Sequence, residues 1–177
     1  MHHLVEQILD LNRTNPEIIK GQFRELDLDA LARRVTAEAW PAFSARDQNL
    51  ALNGEPVSLV GDEAMLEILL TNLLNNARKY TPRGGEVLVT VERFAGMARL
   101  RVEDSGPGIP ADERELAFER FYRGSRADAA GPPGSGLGLA IVRHIVQLHN
   151  AVIELAESRF DSGLAVIIDF PVERSPA

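Results

Sequence analysis

Apolar and polar positions along the chain alternate between two periods, and the switches between them predict the elements. Leu4, Ile8 and Leu11 fall at helical spacing and give a short amphipathic helix that ends before Asn15-Pro16. A polar connector follows. FRELDL then leads into a second helix over about 28–45, with Asp27 as its N-cap and Pro41 as a late kink. Two short extended runs, NLALN and VSLV, flank Gly54-Glu55-Pro56 and read as a hairpin. Asp62 caps a long helix over 63–80, closed by Thr81-Pro82. Residues 86–94 and 97–104 alternate apolar and polar side chains around Ala95-Gly96, which predicts a second hairpin. From 105 to 135 glycine, proline and charge dominate, and only 112–118 could hold a short helix. A loop of this length inside a compact domain is a lid or a binding loop. A helix over 137–149 and strands over 151–157 and 163–170 complete the chain. Hairpins mixed with single helices indicate an α+β, two-layer sandwich with helices on one face of a mostly antiparallel sheet.

Composition bounds the chemistry. The 177 residues are 45% hydrophobic and 25% charged, enough for one domain with a substantial core. A net charge of −7 offers no nucleic-acid or membrane-surface footprint, so any phosphate site must be local. With no cysteine there is neither a disulfide scaffold nor a thiolate metal site. No apolar run approaches the roughly 20 residues of a membrane span. Only two of the 19 basic residues are lysines, and one of them, Lys79, ends the 63–80 helix.

On that helix Leu66, Leu70, Leu73, Leu74 and Ala77 form one stripe, while Asn72, Asn76 and Lys79 share another. Asparagine is a poor helix former, so three of them in one helix require a reason. Asn75 and Arg78 fit a solvated face. Carboxamide oxygens at Asn72 and Asn76, spaced i, i+4, either ligate a hard cation such as Mg²⁺ or face water. After the second hairpin comes DSGPGIP. Asp104 there offers a carboxylate acceptor, and Gly106 and Gly108 let backbone approach a flat ligand, although the same pattern also serves as a plain turn. Farther on, GPPGSGLGLAIV opens a helix with glycines at 131, 134, 136 and 138 and frees amides for an anion. It is no P-loop, because no Lys-Ser/Thr follows, and no Rossmann turn, because no strand precedes it.

Taken in order, Asn72-x-x-x-Asn76, Asp104-x-Gly106-x-Gly108, FERFYR at 118–123 and Gly134-x-Gly136-x-Gly138 resemble the ATP-binding catalytic domain of bacterial sensor histidine kinases, within the Bergerat (GHKL) fold. The resemblance implies residues 1–20 as the end of a dimerisation and phosphoacceptor domain plus linker, and 21–177 as the catalytic domain, with a lid over about 106–135. It implies that Asn76, assisted by Asn72, holds Mg²⁺ and that Lys79 and Tyr80 contact phosphate and nucleotide. Asp104, with Gly106, Gly108 and Ile109, would receive the adenine. Gly134, Ser135, Gly136, Leu137, Gly138 and Leu139 would cradle the phosphates, and Arg123 would reach the γ-phosphate. Phe118 and Phe121 are expected to anchor the lid against the core. The implied partners are ATP, the chain's own dimerisation domain and a response regulator. Also implied are a monomeric fragment in the cytoplasm and a dimeric inner-membrane parent.

The related hydrolysing ATPases carry a glutamate where this chain has Asn72, and a carboxamide cannot activate water. In the kinase family the acceptor histidine is followed by Glu or Asp, and none of the four histidines here is. His2 and His3 are native or remnants of a tag, His144 flanks an apolar stripe and has a packing role, and His149 ends its helix, where the dipole favours a cation. The chain is therefore expected to be a catalytic fragment without its phosphoacceptor. An anti-sigma-factor-type serine kinase and a binding-only regulatory module are the alternatives. Gly163-Leu164-Ala165-Val166 departs from the Gly-Thr-x-Phe common in the family, and Asn150 takes the place of a left-handed C-cap glycine.

Overall fold

A computed structural model describes residues 23–122 and 135–172, so the predicted helix at residues 4–11 lies outside it. The elements are β1 (Arg24–Asp27), α1 (Leu28–Ser44), β2 (Asn49–Gly54), β3 (Ser58–Gly61), α2 (Glu63–Tyr80), β4 (Glu86–Phe94), β5 (Met97–Asp104), α3 (Gly138–Leu148), β6 (Val152–Glu157) and β7 (Leu164–Pro171). Five strands form one mixed sheet in the order β2-β4-β5-β7-β6, and β1 with β3 makes a separate two-stranded ribbon. Valines 87, 89 and 91 of β4, Leu100 and Val102 of β5, and Val166, Ile168 and Phe170 of β7 join the leucines of α1 and α2 and Ile141 and Ile145 of α3 in one core. Arg99, Arg101 and Asp169 occupy the alternate positions on the open face, where Arg99 and Asp169 make a two-bond ion pair at 2.6 and 2.7 Å. This is the expected two-layer sandwich with helices on one face.

Local chemistry accounts for most boundaries. Asp27 caps α1 by accepting from the Asp29 and Ala30 amides, and Asp62 caps α2 by accepting from the Met65 amide at 3.1 Å. The 86–104 hairpin pairs from Val87↔Asp104 to Phe94↔Met97, and its turn residues Ala95 and Gly96 both have positive φ. Asn150 adopts φ 50°, the left-handed cap its position requires. Among the described residues no helix is long and apolar enough to cross a membrane.

Two expectations are corrected. NLALN and VSLV do not pair with each other: β2 runs parallel to β4, and β3 pairs antiparallel with β1, a strand the sequence reading missed. The Asp27 carboxylate takes the Val57 amide and the Leu28 amide donates to the Val57 carbonyl, which draws the chain after Pro56 toward β1. His149 is not a cation at a helix end. It is 4% exposed; its Nδ1 donates to the Ile145 carbonyl at 2.8 Å and its Nε2 accepts from the Asp62 amide at 3.1 Å. Burial pushes its pKa down, so the ring is neutral and outweighs the dipole. It stacks on Phe23 at 4.6 Å between ring centroids.

Candidate functional site

Helix α2 is the spine of the site, because its buried leucines fix the rotation that turns Asn72, Asn76, Lys79 and Tyr80 away from the core. Asn72 spends its Nδ2 on the Ile68 carbonyl at 2.8 Å, which leaves its oxygen as the group with something to offer. One turn on, Asn76 meets the start of α3: a Cβ added at Gly138 would lie 3.1 Å from its Nδ2 and 3.2 Å from its Oδ1. Glycine at 138 is thus what lets the carboxamide lie against the first turn of α3. That helix begins without a side-chain cap among the described residues, which leaves its first amides available to an anion. At the C-terminal end of α2, Lys79 Nζ donates to Tyr80 Oη at 3.0 Å and lies 4.6 Å from the centre of the same ring.

Asp104 ends β5 on the helix-covered face and is 8% exposed. Its Oδ1 accepts the Gly106 amide at 2.8 Å and the Leu164 amide at 3.4 Å, while its Oδ2 receives no hydrogen bond among the described residues. Burial pushes its carboxyl up to about 6 against the pull of those two amides, and no cation among the described residues compensates. The space beside it is made by absent side chains. A Cβ at Gly106 would meet Asp104 Oδ1 and the Tyr80 carbonyl, and one at Gly108, where φ is +68°, would lie 2.7 Å from the Gly163 carbonyl oxygen. Ile109 packs at the core margin next to this turn. Tyr80, Asp104, Gly106, Gly108 and Ile109 therefore gather at one end of α2, and Asn76 with Gly138 one turn away.

The segment after Ile109 holds two single-turn 3-10 helices, Ala111–Glu113 and Leu116–Phe118, where one short helix was expected. Phe118 is buried against the core and lies under the Arg143 guanidinium, as a lid anchor should. Phe121 is not an anchor. Its backbone is left-handed, with φ 67°, its amide donates to the Gly136 carbonyl, and its ring is turned outward, 71% exposed. Gly136, also left-handed, has no room for a Cβ beside Phe121. Ser135 Oγ accepts from the Leu137 amide at 3.4 Å. Leu137 and Leu139 pack on the core, and Arg123 and Gly134 lie outside the described residues.

Three features escaped the sequence reading. Thr81 Oγ1 is buried without a partner among the described residues, next to the turn that carries Ser105. Gly163 lies directly against the Asp104 carbonyl, and the Leu164 amide reaches the Asp104 side chain, so the 163–166 stretch touches the site through its backbone. Glu103, the neighbour of Asp104, is wholly buried. The Asp161-Ser162-Gly163 turn signal was the available hint for the second of these.

A family model described as histidine kinase-, DNA gyrase B- and HSP90-like ATPase matches residues 61–174. The sensor protein kinase PmrB of Pseudomonas aeruginosa is 41% identical over 168 residues, 95% of this chain and 35% of that protein. The signal transduction histidine-protein kinase BaeS of Escherichia coli is 34% identical over 174 residues, 97% of this chain and 37% of that protein. The chain thus spans about a third of the length of these relatives. Among solved structures, the mycobacterial sensor histidine kinase MprB is similar at 34% identity with a TM-score of 0.74, covering 86% of this chain and 99% of that one.

Proposed function

The chain belongs to the family of histidine kinase-, DNA gyrase B- and HSP90-like ATPases, as an ATP-binding catalytic domain of the sensor histidine kinase kind, and we propose that it binds ATP with Mg²⁺ and donates the γ-phosphoryl group to a histidine on a dimerisation domain, for relay to a response regulator. The observation that carries this reading is Asp104. A buried carboxylate with one oxygen satisfied and the other open, walled by glycines and without a cation, suits a flat base that presents an amino group.

The chain's other residues take roles consistent with their placement. The Asn76 oxygen, with Asn72 behind it, would hold Mg²⁺, which keeps several waters and needs few protein ligands. Lys79 and Tyr80, with the amides at the start of α3, at Gly138 and Leu139, would bind phosphate oxygens. Ser135, Gly134 and Arg123 would extend that cradle from a lid over about 106–135. When bound, the nucleotide supplies the transferable phosphoryl group and the cation neutralises its charge. Phosphoryl transfer needs such positioning more than covalent chemistry. With Asn72 at the position of a water-activating base, hydrolysis is slow and the group is kept for the acceptor. We extend the reading to a dimeric inner-membrane parent that carries this domain in the cytoplasm, with residues 1–20 leading in from the dimerisation domain.

Calorimetry with a non-hydrolysable ATP analogue and Mg²⁺ tests the binding. Wild type should bind, and Asp104→Asn or Asn76→Ala should weaken affinity by roughly 100-fold and 10-fold respectively. Mixing the chain with a separately made phosphoacceptor domain and labelled ATP tests the transfer. An unlabelled histidine in the presence of bound nucleotide would reduce the protein to a binding module, and no nucleotide binding would sink the whole reading.

A further inference from the structure

Glu103 and Asp104 are consecutive on β5 and so leave the sheet on opposite faces. Glu103 lies on the open face yet is 0% exposed, because the turn joining β6 to β7 is folded over it. Arg159 in that turn holds the carboxylate twice, by its backbone amide at 3.0 Å to Oε1 and by its Nε at 2.7 Å to Oε2. Arg101, on β5 itself, adds a third bond at 2.9 Å to Oε1. A carboxylate out of contact with water and held by two charged donors is a firm anchor point. The same turn then crosses the end of the strand. Gly163, at φ +128°, lies so close to the Asp104 carbonyl that a Cβ there would be 1.7 Å from its oxygen; its own carbonyl abuts Gly108, and the next amide, Leu164, donates to Asp104 Oδ1. One turn thus grips Glu103 on the open face and covers Asp104 on the other.

Resting on the nucleotide reading above, we propose that Arg159, acting through Glu103, is a positioning residue for Asp104: it holds the 158–163 turn down so that Asp104 stays mostly buried with Oδ2 open, and thereby sets the preference for a 6-aminopurine over a 6-oxopurine nucleotide. A 6-aminopurine donates to the open carboxylate oxygen, whereas a 6-oxopurine presents an acceptor to it, and the penalty for that mismatch is large only where water cannot intervene. Arg101 grips the same carboxylate from β5 and makes no hydrogen bond to the turn among the described residues, so it separates loss of an ion pair from loss of the cover.

The test uses Arg159→Ala, with Arg159→Lys as the conservative variant and Arg101→Ala as the comparison. Arg159 is half-exposed, so the fold should survive its truncation. Carbon-13 carboxyl NMR of the unliganded protein reads Asp104 directly. In Arg159→Ala its titration should move from about 6 toward the ordinary 3.8, since burial is the main cause of the elevation; in Arg159→Lys it should move less, and in Arg101→Ala it should stay. Adenine-nucleotide affinity should fall about tenfold in Arg159→Ala, and the adenine-over-guanine ratio should shrink by a similar factor. An unchanged titration with an unchanged base preference overturns the proposal, as does an equal shift in Arg101→Ala. A wild type that binds no nucleotide defeats the functional reading instead, and the NMR titration then judges the positioning by itself.

Discussion

Two buried titratable groups sit at opposite ends of the α2 helix, and the protein treats them differently. His149, beside the N-cap of α2, has both ring nitrogens engaged, a stacked ring on one side and no charge. Asp104, beside the C-terminal end of α2, is also buried but has no cation beside it among the described residues and an open oxygen. Every bond His149 can make is made within the chain, as expected of a group that holds a fold together. The Asp104 arrangement opposes its own ionisation: moving a carboxyl from 3.8 to about 6 corresponds to about 3 kcal/mol against the charged form. A cost of that kind persists where a ligand rather than the fold completes the site.

The largest effect should come from exchanging affinity for stability. Asp104→Asn keeps an oxygen for the Gly106 and Leu164 amides but removes the buried charge. Nucleotide affinity should therefore fall roughly 100-fold while resistance of the free protein to urea at pH 7 rises by about 1–3 kcal/mol. If stability falls together with affinity, Asp104 is a structural group like His149 and the contrast is wrong. His149→Ala is the reverse case. It strands the Asp62 amide, opens a cavity under Phe23 and should cost about 3 kcal/mol in the same urea experiment, with nucleotide affinity of the folded protein unchanged within about twofold.

The pH dependence of stability carries the contrast without mutation. Asp104 has its pKa raised on folding, so its contribution is fully present below 3.8 and is lost as pH rises through about 6. His149 has its pKa lowered, so its contribution is present above 6.5 and is lost as pH falls through its folded value. Between pH 7 and pH 5 the two oppose each other. Removing the first, in Asp104→Asn, should leave a protein that weakens on acidification more steeply than wild type. Removing the second, in His149→Ala, should leave one that weakens less. Nucleotide affinity in the wild type should also drop several-fold as pH falls below about 6, because a protonated carboxyl is a poorer acceptor. Parallel urea melts of the three proteins at both pH values would expose a contrast that does not exist.

Much of this was legible in the sequence, and the boundary of legibility is physical. Helix α2 was read to the residue, because Asp62 caps it, its apolar stripe is unbroken and Thr81-Pro82 ends it. The 86–104 hairpin was equally clear, since apolar-polar alternation and a two-residue turn set the register locally. The parallel pairing of β2 with β4 was not, because runs of four to six residues carry no record of which distant strand they join. The candidate site was marked in the sequence where glycines and asparagines break helix or strand preference, at Asn76, Gly106, Gly108 and Gly138, which the fold brings to one end of α2. Glu103 was not, because a glutamate at an outward-facing strand position reads as a solvated acid, and only an arginine 56 residues away shows otherwise. His149 was misread for a related reason: a dipole argument sees the helix and misses the Asp62 amide arriving from 87 positions earlier.

The smallest predicted effect tests whether the two ends can be separated inside a single contact. Gly138 opens α3 with its Cα hydrogen facing Asn76, and an added methyl would sit 3.1–3.2 Å from the carboxamide, tight enough to push it by a few tenths of an ångström and loose enough not to break the helix. Alanine is the better helix former, so Gly138→Ala should leave stability unchanged or raise it by about 0.5 kcal/mol. If the Asn76 oxygen holds Mg²⁺, a displacement that small should weaken nucleotide binding about threefold when Mg²⁺ is present and leave it unaltered in chelator, since only the cation demands near-ideal ligand geometry. An equal loss in both conditions would mean that the methyl obstructs the phosphates rather than the asparagine. No loss in either would mean that Asn76 is packing against α3 as His149 packs against α2, so that the polar row of the helix serves the fold at both of its ends.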